Sequence, residues 1–234
     1  MATVIEDFIT ECRARLGDTT VMGAEWTDTQ ISYWVKEAIQ DYSKHFPRLM
    51  SSSDLLGSDP AILEGVNETA IDIDGAHIQG VHSVAYPSTD DPPTFLKRKD
   101  HRDPDFYTVE DCYDFEILDD ANAILWISGD PVDGDADITF ICDHVYPAAT
   151  EDLTVPQRHF ELLIAYVRMA AWQEVSHTES QDPHVTIKLL NEYEAAAQVA
   201  AQVYQTALKD ALRAEGKSSV SKWDTDAHDM GRIY

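Results

Sequence analysis

The sequence predicts an α+β fold: a helical bundle from N- and C-terminal helices, with an inserted antiparallel β module. Three observations predict this fold. Apolar residues recur at spacings of three and four before residue 47 and after residue 155, they tend to alternate with polar residues between 66 and 147, and periodicity is lost after residue 215. The expected segments are bundle helices at 1–65, the β module at 66–147, bundle helices at 148–215 and an extended C-terminal arm at 216–234.

Two helices are expected at the N-terminus. Residues 2–16 carry apolar side chains at helical spacing, and Gly17 stands where a C-terminal cap is expected. The second helix begins at a capping box formed by Thr27 and Gln30 and ends at Pro47. Residues 51–65 are expected to form a connection with room for one helical turn. The apolar face of the second helix should hold Ile31, Trp34, Val35, Ala38, Ile39 and Tyr42.

The β module is expected to contain four to six antiparallel strands between about residues 68 and 147. The segments GVHSVAYP, AILWISG and ADITFICDHVY are rich in Val, Ile, Thr and aromatic residues, which favour strands. Turn-forming residues separate the strands at 74–75, 87–93, 119–122 and 130–135.

The stretch 155–212 predicts the two longest helices. The first carries apolar residues around most of its circumference, which predicts the centre of the bundle. The second is expected to begin with Asp182 as the N-cap and Pro183 as the first helical residue. About thirty helical residues measure roughly 45 Å, so part of this helix should project or pack against another copy of the chain.

The composition is strongly acidic. The 234 residues include 28 Asp and 15 Glu against 17 Lys and Arg, for a net charge of −26, and 44% hydrophobic residues suffice for a core. Concentrated salt screens the repulsion among these acidic residues, so we favour a halophilic source. The alternatives are an acidic surface that repels or mimics DNA and an acidic surface that serves solubility alone. Non-specific binding to DNA needs a basic face, which the sequence does not show.

Cys12, Cys112 and Cys142 lack metal-ligand spacing, and the sequence contains neither a signal peptide nor a run of 18 apolar residues. We therefore expect free thiols, no membrane span and a soluble protein assembled inside the host cell.

The motif search favours a protein that is not an enzyme and holds neither a cofactor nor a metal. The stretch 133–137 begins like a calcium loop but misplaces the glycine, so an acidic hairpin turn is expected there. Glu174 and His177 match half of a di-iron motif whose second half is absent, which favours a solvent-side pair. Nucleotide-binding and hydrolase motifs are also missing.

Two short stretches are candidate contacts with partners. Lys97, Arg98, Lys99 and Arg102 are the only basic residues between 66 and 150, where they form either a partner contact or, as we favour, a loop that neutralises acidic neighbours. The aperiodic stretch 216–234 contains Trp223, Ile233 and Tyr234, which are apolar anchors that a neighbouring surface could hold.

Nearly all of residues 3–212 resemble the head-to-tail adaptor proteins, also called connector or head-completion proteins, of tailed viruses. The resemblance is carried by an N-terminal helix followed by the segments WTDTQISYWVKEAIQDYSKHFPR, GVHSVAYPSTDDPP, DHVYPAATEDLTVPQRHFELLIAYVRMAAWQE and LLNEYEAAAQVAAQVYQTAL. These are patterns of apolar spacing with a few recurrent words. The excess of Asp fits a virus of a halophilic archaeal host.

The resemblance implies a virion protein of the neck. Such proteins form a ring, usually of twelve copies, that lies below the portal protein and links it to the next neck or tail protein. DNA passes through the lumen of the ring without specific binding. A C-terminal arm commonly reaches the portal, so the resemblance makes Trp223, Arg232, Ile233 and Tyr234 candidate portal contacts.

Two other functions remain open on the sequence. A tail-completion or terminator protein would form the same kind of ring at the far end of the neck. An acidic cytoplasmic regulator or DNA mimic would instead be a monomer or dimer with rows of carboxylates at phosphate-like spacing.

Overall fold

The computed structural model describes residues 4–16, 26–75, 77–148, 151–181 and 184–216. Their contacts divide them into two compact units. The helical unit combines residues up to 45 with residues from 144 onward, and the β unit comprises Phe46–Asp143. The predicted α+β class is confirmed, because helices precede and follow the strands along the chain.

The described helices and strands follow one another in a simple order. Single 3-10 turns lie at Phe106–Thr108 and Gln157–His159. In chain order the elements are α1 (Ile5–Leu16), α2 (Asp28–His45), β1 (Arg48–Ser51), α3 (Ser52–Leu56), β2 (Ala61–Ile62), β3 (Glu68–Asp72), β4 (Ile78–Ala85), β5 (Lys97–Arg98), β6 (Cys112–Ile117), β7 (Asn122–Ile127), β8 (Gly134–Asp135), β9 (Asp137–Cys142), α4 (Phe160–Ser180) and α5 (Ile187–Ala214).

Helices α1 and α2 bury the faces that their sequences predict. The capping box is confirmed: the Gln30 N–H donates to Thr27 Oγ1 at 3.2 Å, and the Thr27 N–H donates to Gln30 Oε1 at 3.0 Å. All six predicted apolar residues of α2 are buried. In α1, Phe8 is buried and meets Phe160 edge to face, with 5.1 Å between ring centroids.

Helix α4 is the central helix of the helical unit, because it packs against α1, α2 and α5. Its first three turns are buried around most of the circumference, whereas the last turns are half-buried or exposed. The fully covered central helix that the sequence predicts is therefore confirmed for the first half of α4. The buried residues are Phe160, Leu162, Leu163, Ile164, Ala165, Val167 and Ala171.

The start of α5 differs from the prediction. The N-cap is Thr186, whose hydroxyl accepts a hydrogen bond from the Leu189 N–H at 3.3 Å, so the helix begins at Ile187. The predicted cap at Asp182 and Pro183 is wrong, and those two residues lie outside the described part of the chain. With 28 residues, α5 is close to the predicted length.

Two larger sheets account for most of the β unit. One has the strand order β1-β9-β4, the other has the order β3-β7-β6-β5, and β2 pairs with β8. All pairs are antiparallel except β5 with β6, which is parallel and places Lys97 opposite Cys112. Side chains from β4, β6, β7 and β9 form the main core, in which Val84, Leu125, Ile138 and Phe140 are fully buried.

Several strands of the β unit were not expected. Between residues 68 and 147 the described residues form seven strands rather than four to six, and two of the seven have only two residues. Residues 48–51 pair with β9, and residues 61–62 form β2 within the stretch that we expected to be a connection. The expected helical turn is α3, which Ser51 caps.

The acidic stretch 133–137 is not the predicted hairpin turn. It joins β8 to β9, and these two strands pair with different partners: β8 with β2, and β9 with β1 and β4. Ala136 between them is completely buried and anchors the connection. The reason lies in strand pairing with distant segments, which local turn chemistry does not reveal.

Candidate functional site

An apolar groove runs between α4 and α5 in the helical unit and has a volume of about 340 Å³. Its floor arises from a difference in side-chain size. Trp172 of α4 faces a stretch of α5 in which Ala195, Ala196 and Ala200 fill little space. The residues that line this α4–α5 groove are Ala165, Arg168, Trp172, Ala195, Ala196, Val199, Ala200 and Val203.

The α5 side of the groove exposes large apolar side chains. Val199 is 59% exposed and Val203 is 50% exposed. Only Tyr193, Ala197 and Tyr204 of the 28 residues of α5 are buried. A second apolar face thus remains uncovered after α5 has packed against α4, and uncovered apolar faces of this kind mark interaction surfaces.

One charged residue lines the groove. Arg168 lies on α4 at the exposed edge of the groove, and no ion pair engages its guanidinium within the described part of the chain. The groove therefore offers an apolar surface together with a donor for a carboxylate.

The two helices are held in register at the end of the groove where α5 finishes. Arg158 Nη2 lies 2.7 Å from Glu215 Oε1 and ties the residues before α4 to the end of α5. Tyr166 and Tyr204 meet edge to face at 5.2 Å, and the Tyr204 hydroxyl donates a hydrogen bond to Asp41 of α2. Burial and the neighbouring Asp41 carboxylate raise the pKa of Tyr204.

A buried polar cluster lies elsewhere in the helical unit. Tyr42 Oη and His159 Nδ1 are 2.6 Å apart, and both residues are buried. His144 stacks edge to face on Tyr42 at 5.1 Å, and its Nδ1 lies 2.9 Å from Thr154 Oγ1. Burial raises the pKa of Tyr42. Hydrogen bonds between these side chains account for their burial, which indicates a structural role.

The basic stretch 97–102 is neutralised by nearby acids in the β unit. Lys99 Nζ lies 2.7 Å from Asp105 Oδ1, and this hydrogen bond raises the pKa of Lys99 and lowers that of Asp105. Arg98 Nε lies 3.7 Å from Asp114 Oδ1. Arg102 pairs with Glu116 at 3.2 Å. Lys97 is exposed. The favoured neutralising role fits these pairs, whereas a contact with a partner through 97–99 stays a prediction.

One group of possible metal ligands lies close together in the described residues: Asp100, His101 and Asp114. His101 Nδ1 is 2.7 Å from Asp114 Oδ2, and the imidazole stacks on Trp126 with 3.9 Å between ring centroids. Arg98 competes for the same Asp114 carboxylate. A cation would have to displace these partners, so ion pairing is the better explanation of the cluster.

Glu174 is not the solvent-side residue that we expected. Its carboxylate accepts hydrogen bonds from Trp34 Nε1 at 3.0 Å and Gln30 Nε2 at 3.2 Å, both from α2. His177 instead faces Gln181, with 3.0 Å between Nε2 of each side chain. Glu174 turns toward α2 because an indole N–H buried in the bundle needs an acceptor.

The remaining predicted contacts lie beyond the described residues. Trp223, Arg232, Ile233 and Tyr234 all follow residue 216. All three cysteines are free and buried, as expected. Among the helices that the structure describes, none combines the length and the apolar character that a membrane span requires.

A chain whose long helix α5 keeps an apolar face uncovered has the features of a component of a larger assembly. The model of the SU10 adaptor protein family matches residues 5–227. The chain therefore belongs to the SU10 adaptor protein family, and the predicted class, a structural adaptor of the virion neck, is confirmed. A search of the curated proteins found no significant match.

The sequence did not reveal the α4–α5 groove, although one signal was present. Val199 and Val203 lie four residues apart and off the face that carries Tyr193, Ala197 and Tyr204. A second apolar stripe on one helix can be read from such spacing. Arg168 gave no signal, because its position beside the groove depends on how α4 and α5 align.

Proposed function

We propose that this protein forms a ring that joins the portal protein to the next neck or tail protein of a tailed virus. The ring contains twelve copies, the number that the resemblance implies, and DNA passes through its lumen. Membership of the SU10 adaptor family supports the adaptor role. The ring, its copy number and the portal as the partner are our proposals.

The uncovered face of α5 is the observation that carries the ring. The helix is about 42 Å long at 1.5 Å per residue, and the helical unit covers only one side of it. Val199 and Val203, one helical turn apart, are exposed on the uncovered side. A ring provides each copy with two neighbours, so one side of each neighbour can cover such a face.

The acidity of the chain supports passage of DNA without binding. The 43 acidic residues outnumber the 17 basic ones, and several basic residues already pair with carboxylates in the described region. An acidic inner wall repels phosphates, and at molar salt this repulsion extends only about 3 Å. The C-terminal residues Trp223, Arg232, Ile233 and Tyr234 are our candidates for contact with the portal.

Electron microscopy and native mass spectrometry of the protein with the portal protein of the same virus, at molar salt, test this proposal. We expect a complex with one ring of this chain on the portal ring. A chain that stays monomeric while the portal ring stays bare refutes the proposal. In images of the intact particle, a ring at the tail end of the neck instead of at the portal identifies a terminator.

A matched pair of variants tests the role of α5. Val199→Asp places a charge in the uncovered apolar face and should abolish ring formation. Gln198→Asp introduces the same charge at the neighbouring exposed position and should leave the ring intact. Equal assembly of the two variants, with both folded by circular dichroism, excludes the α5 face as the contact between copies.

A further inference from the structure

We propose that in the isolated chain the segment around Trp223 folds back along α5 and places the indole in the α4–α5 groove, with the Asp224 carboxylate beside Arg168. The occupant is thus the chain's own C-terminal segment. The inference concerns the free protein and holds whether or not the chain forms a ring. Three observations support this placement: the glycine cap that ends α5, the distance to the groove and the chemistry of both partners.

Helix α5 ends in a glycine cap, so the chain does not continue as the same helix. Gly216 has a φ of 70°, which residues with a side chain rarely adopt. The Glu215 N–H donates to the Ala211 carbonyl and the Gly216 N–H to the Arg213 carbonyl, so the last turn closes with a glycine cap. Arg158 holds the Glu215 side chain at 2.7 Å, which fixes this end beside the start of α4.

The distance from this end to the groove matches the length of chain before Trp223. Val203 precedes Gly216 by 13 residues of helix and helix cap, or about 20 Å. The seven residues from 217 to 223 span at most about 23–25 Å when extended. Trp223 can therefore reach the level of Val203 and Arg168, which is the near end of the groove.

The chemistry of the segment matches that of the groove. A tryptophan buries roughly 150–250 Å² of surface, and the α4–α5 groove provides apolar walls around about 340 Å³. Asp224 directly follows Trp223 and offers a carboxylate to the unpaired Arg168. Ile233 and Tyr234 can also reach the groove. A basic residue precedes each candidate, Lys222 before Trp223 and Arg232 before Ile233, so the preference for Trp223 rests on its indole and on Asp224 directly after it.

The covalent connection favours the chain's own segment over that of a second copy. A short linker whose length matches the span gives an effective concentration in the millimolar range. A second copy must instead approach against the repulsion between two chains of charge −26. In the free protein the intramolecular contact should therefore form first.

Disulfide trapping in the full-length protein tests the placement. In an extended segment Ser221 shares a side with Trp223 and lies about 7 Å closer to Gly216. Ala207→Cys with Ser221→Cys should then form a disulfide within one chain about tenfold faster than Gln205→Cys with Ser221→Cys, because residue 205 lies on the opposite side of α5. The three native cysteines are buried and should not interfere.

Equal rates for the two pairs overturn the proposal, and so does a product consisting mainly of disulfide-linked dimers. The dimer result places the segment on a second copy. Mass spectrometry of the unreduced protein distinguishes the two products.

A second experiment removes the indole itself. Val203→Cys is alkylated by a maleimide in the full-length chain, with and without Trp223→Ala. At millimolar effective concentration and a local Kd of about 0.1 mM, Trp223→Ala should raise the alkylation rate about tenfold. Tyr234→Ala is the control and should leave the rate unchanged. Circular dichroism verifies that each variant is folded. An alkylation rate that Trp223→Ala leaves unchanged then overturns the proposal.

Discussion

Replacing Glu174 should destabilise the helical unit by about 2 kcal/mol, because its carboxylate satisfies a donor that cannot reach water. Trp34 is 1% exposed, and its indole N–H donates to Glu174 at 3.0 Å, while Gln30 donates to the same carboxylate at 3.2 Å. A hydrogen bond to a charged group contributes about 1.5–3 kcal/mol, and a buried donor left without an acceptor costs about 1–3 kcal/mol. Both figures describe the same loss, so they are not added.

Two variants separate the hydrogen bonds from the other contributions of the side chain. Glu174→Ala removes both acceptor oxygens and should cost about 2 kcal/mol, whereas Glu174→Gln keeps one acceptor and should cost about 1 kcal/mol. The control is Gln173→Ala, the exposed neighbour on α4, which should change stability by less than about 0.5 kcal/mol.

Urea unfolding followed by circular dichroism at 222 nm gives the comparison, since most of the described helical residues belong to the helical unit. A Glu174→Ala transition that coincides with that of Gln173→Ala refutes the reasoning. Equal losses for Glu174→Ala and Glu174→Gln show that the cost comes from charge and not from the hydrogen bonds.

Three further predictions concern pH, backbone conformation and salt. Burial raises the pKa of the Cys12 thiol from 9.0 to about 12. Above pH 9 the thiol ionises in the unfolded chain but not in the folded one, so stability is highest below pH 9 and falls as the pH rises toward 12. Urea titrations should show the natural chain losing about 1.4 kcal/mol more than Cys12→Ala between pH 8 and pH 10, and parallel pH curves contradict this. Gly57→Ala should lower stability by about 1–2 kcal/mol in thermal unfolding, because its φ is 82°, whereas Gly80→Ala, without a positive φ, should change it little; equal losses exclude backbone strain. Raising KCl from 0.1 M to 1 M should raise the urea midpoint, because screening shortens the reach of repulsion among 43 acidic residues from about 10 Å to 3 Å, and a constant midpoint argues against adaptation to salt.

The sequence predicts helices with one apolar face well, because the buried residues form a single continuous stripe at helical spacing. Helix α2 is such a case: its capping box and all six expected apolar residues are where the pattern predicts them. The signals are local, since Thr27 and Gln30 lie three residues apart and the apolar face repeats every turn.

Short strands are not predictable in this way. Strand β1 has four residues and pairs with β9, about ninety residues further along the chain, and β5 has two residues whose parallel partner is β6. Such strands form because the edge of a strand distant in sequence is available for hydrogen bonds. Their own few residues do not determine that they adopt a strand.

The candidate site was only partly predictable for a related reason. The sequence indicated a helix longer than a compact domain of this size needs. Predicting the groove, however, requires knowing which residues of α4 face α5. Glu174 shows the same limit, since its role depends on Trp34 of another helix. Spacing within one segment reports its exposed and buried faces, whereas pairing between segments requires the structure.

Under the proposed role, the charge of the chain and the uncovered face of α5 act in opposite directions, and salt sets the balance between them. At low ionic strength a charge of −26 per copy makes the copies repel one another, and this repulsion opposes packing through the apolar face of α5. At molar salt the repulsion reaches only about 3 Å. The free energy gained by burying the exposed side chains of Val199 and Val203 is not weakened by salt. The Trp223 segment adds a competitor whose effective concentration does not depend on the number of copies present. Association of copies should therefore require both concentrated salt and a partner that removes this segment from the groove, and the portal contacts proposed for Trp223 would supply the second condition.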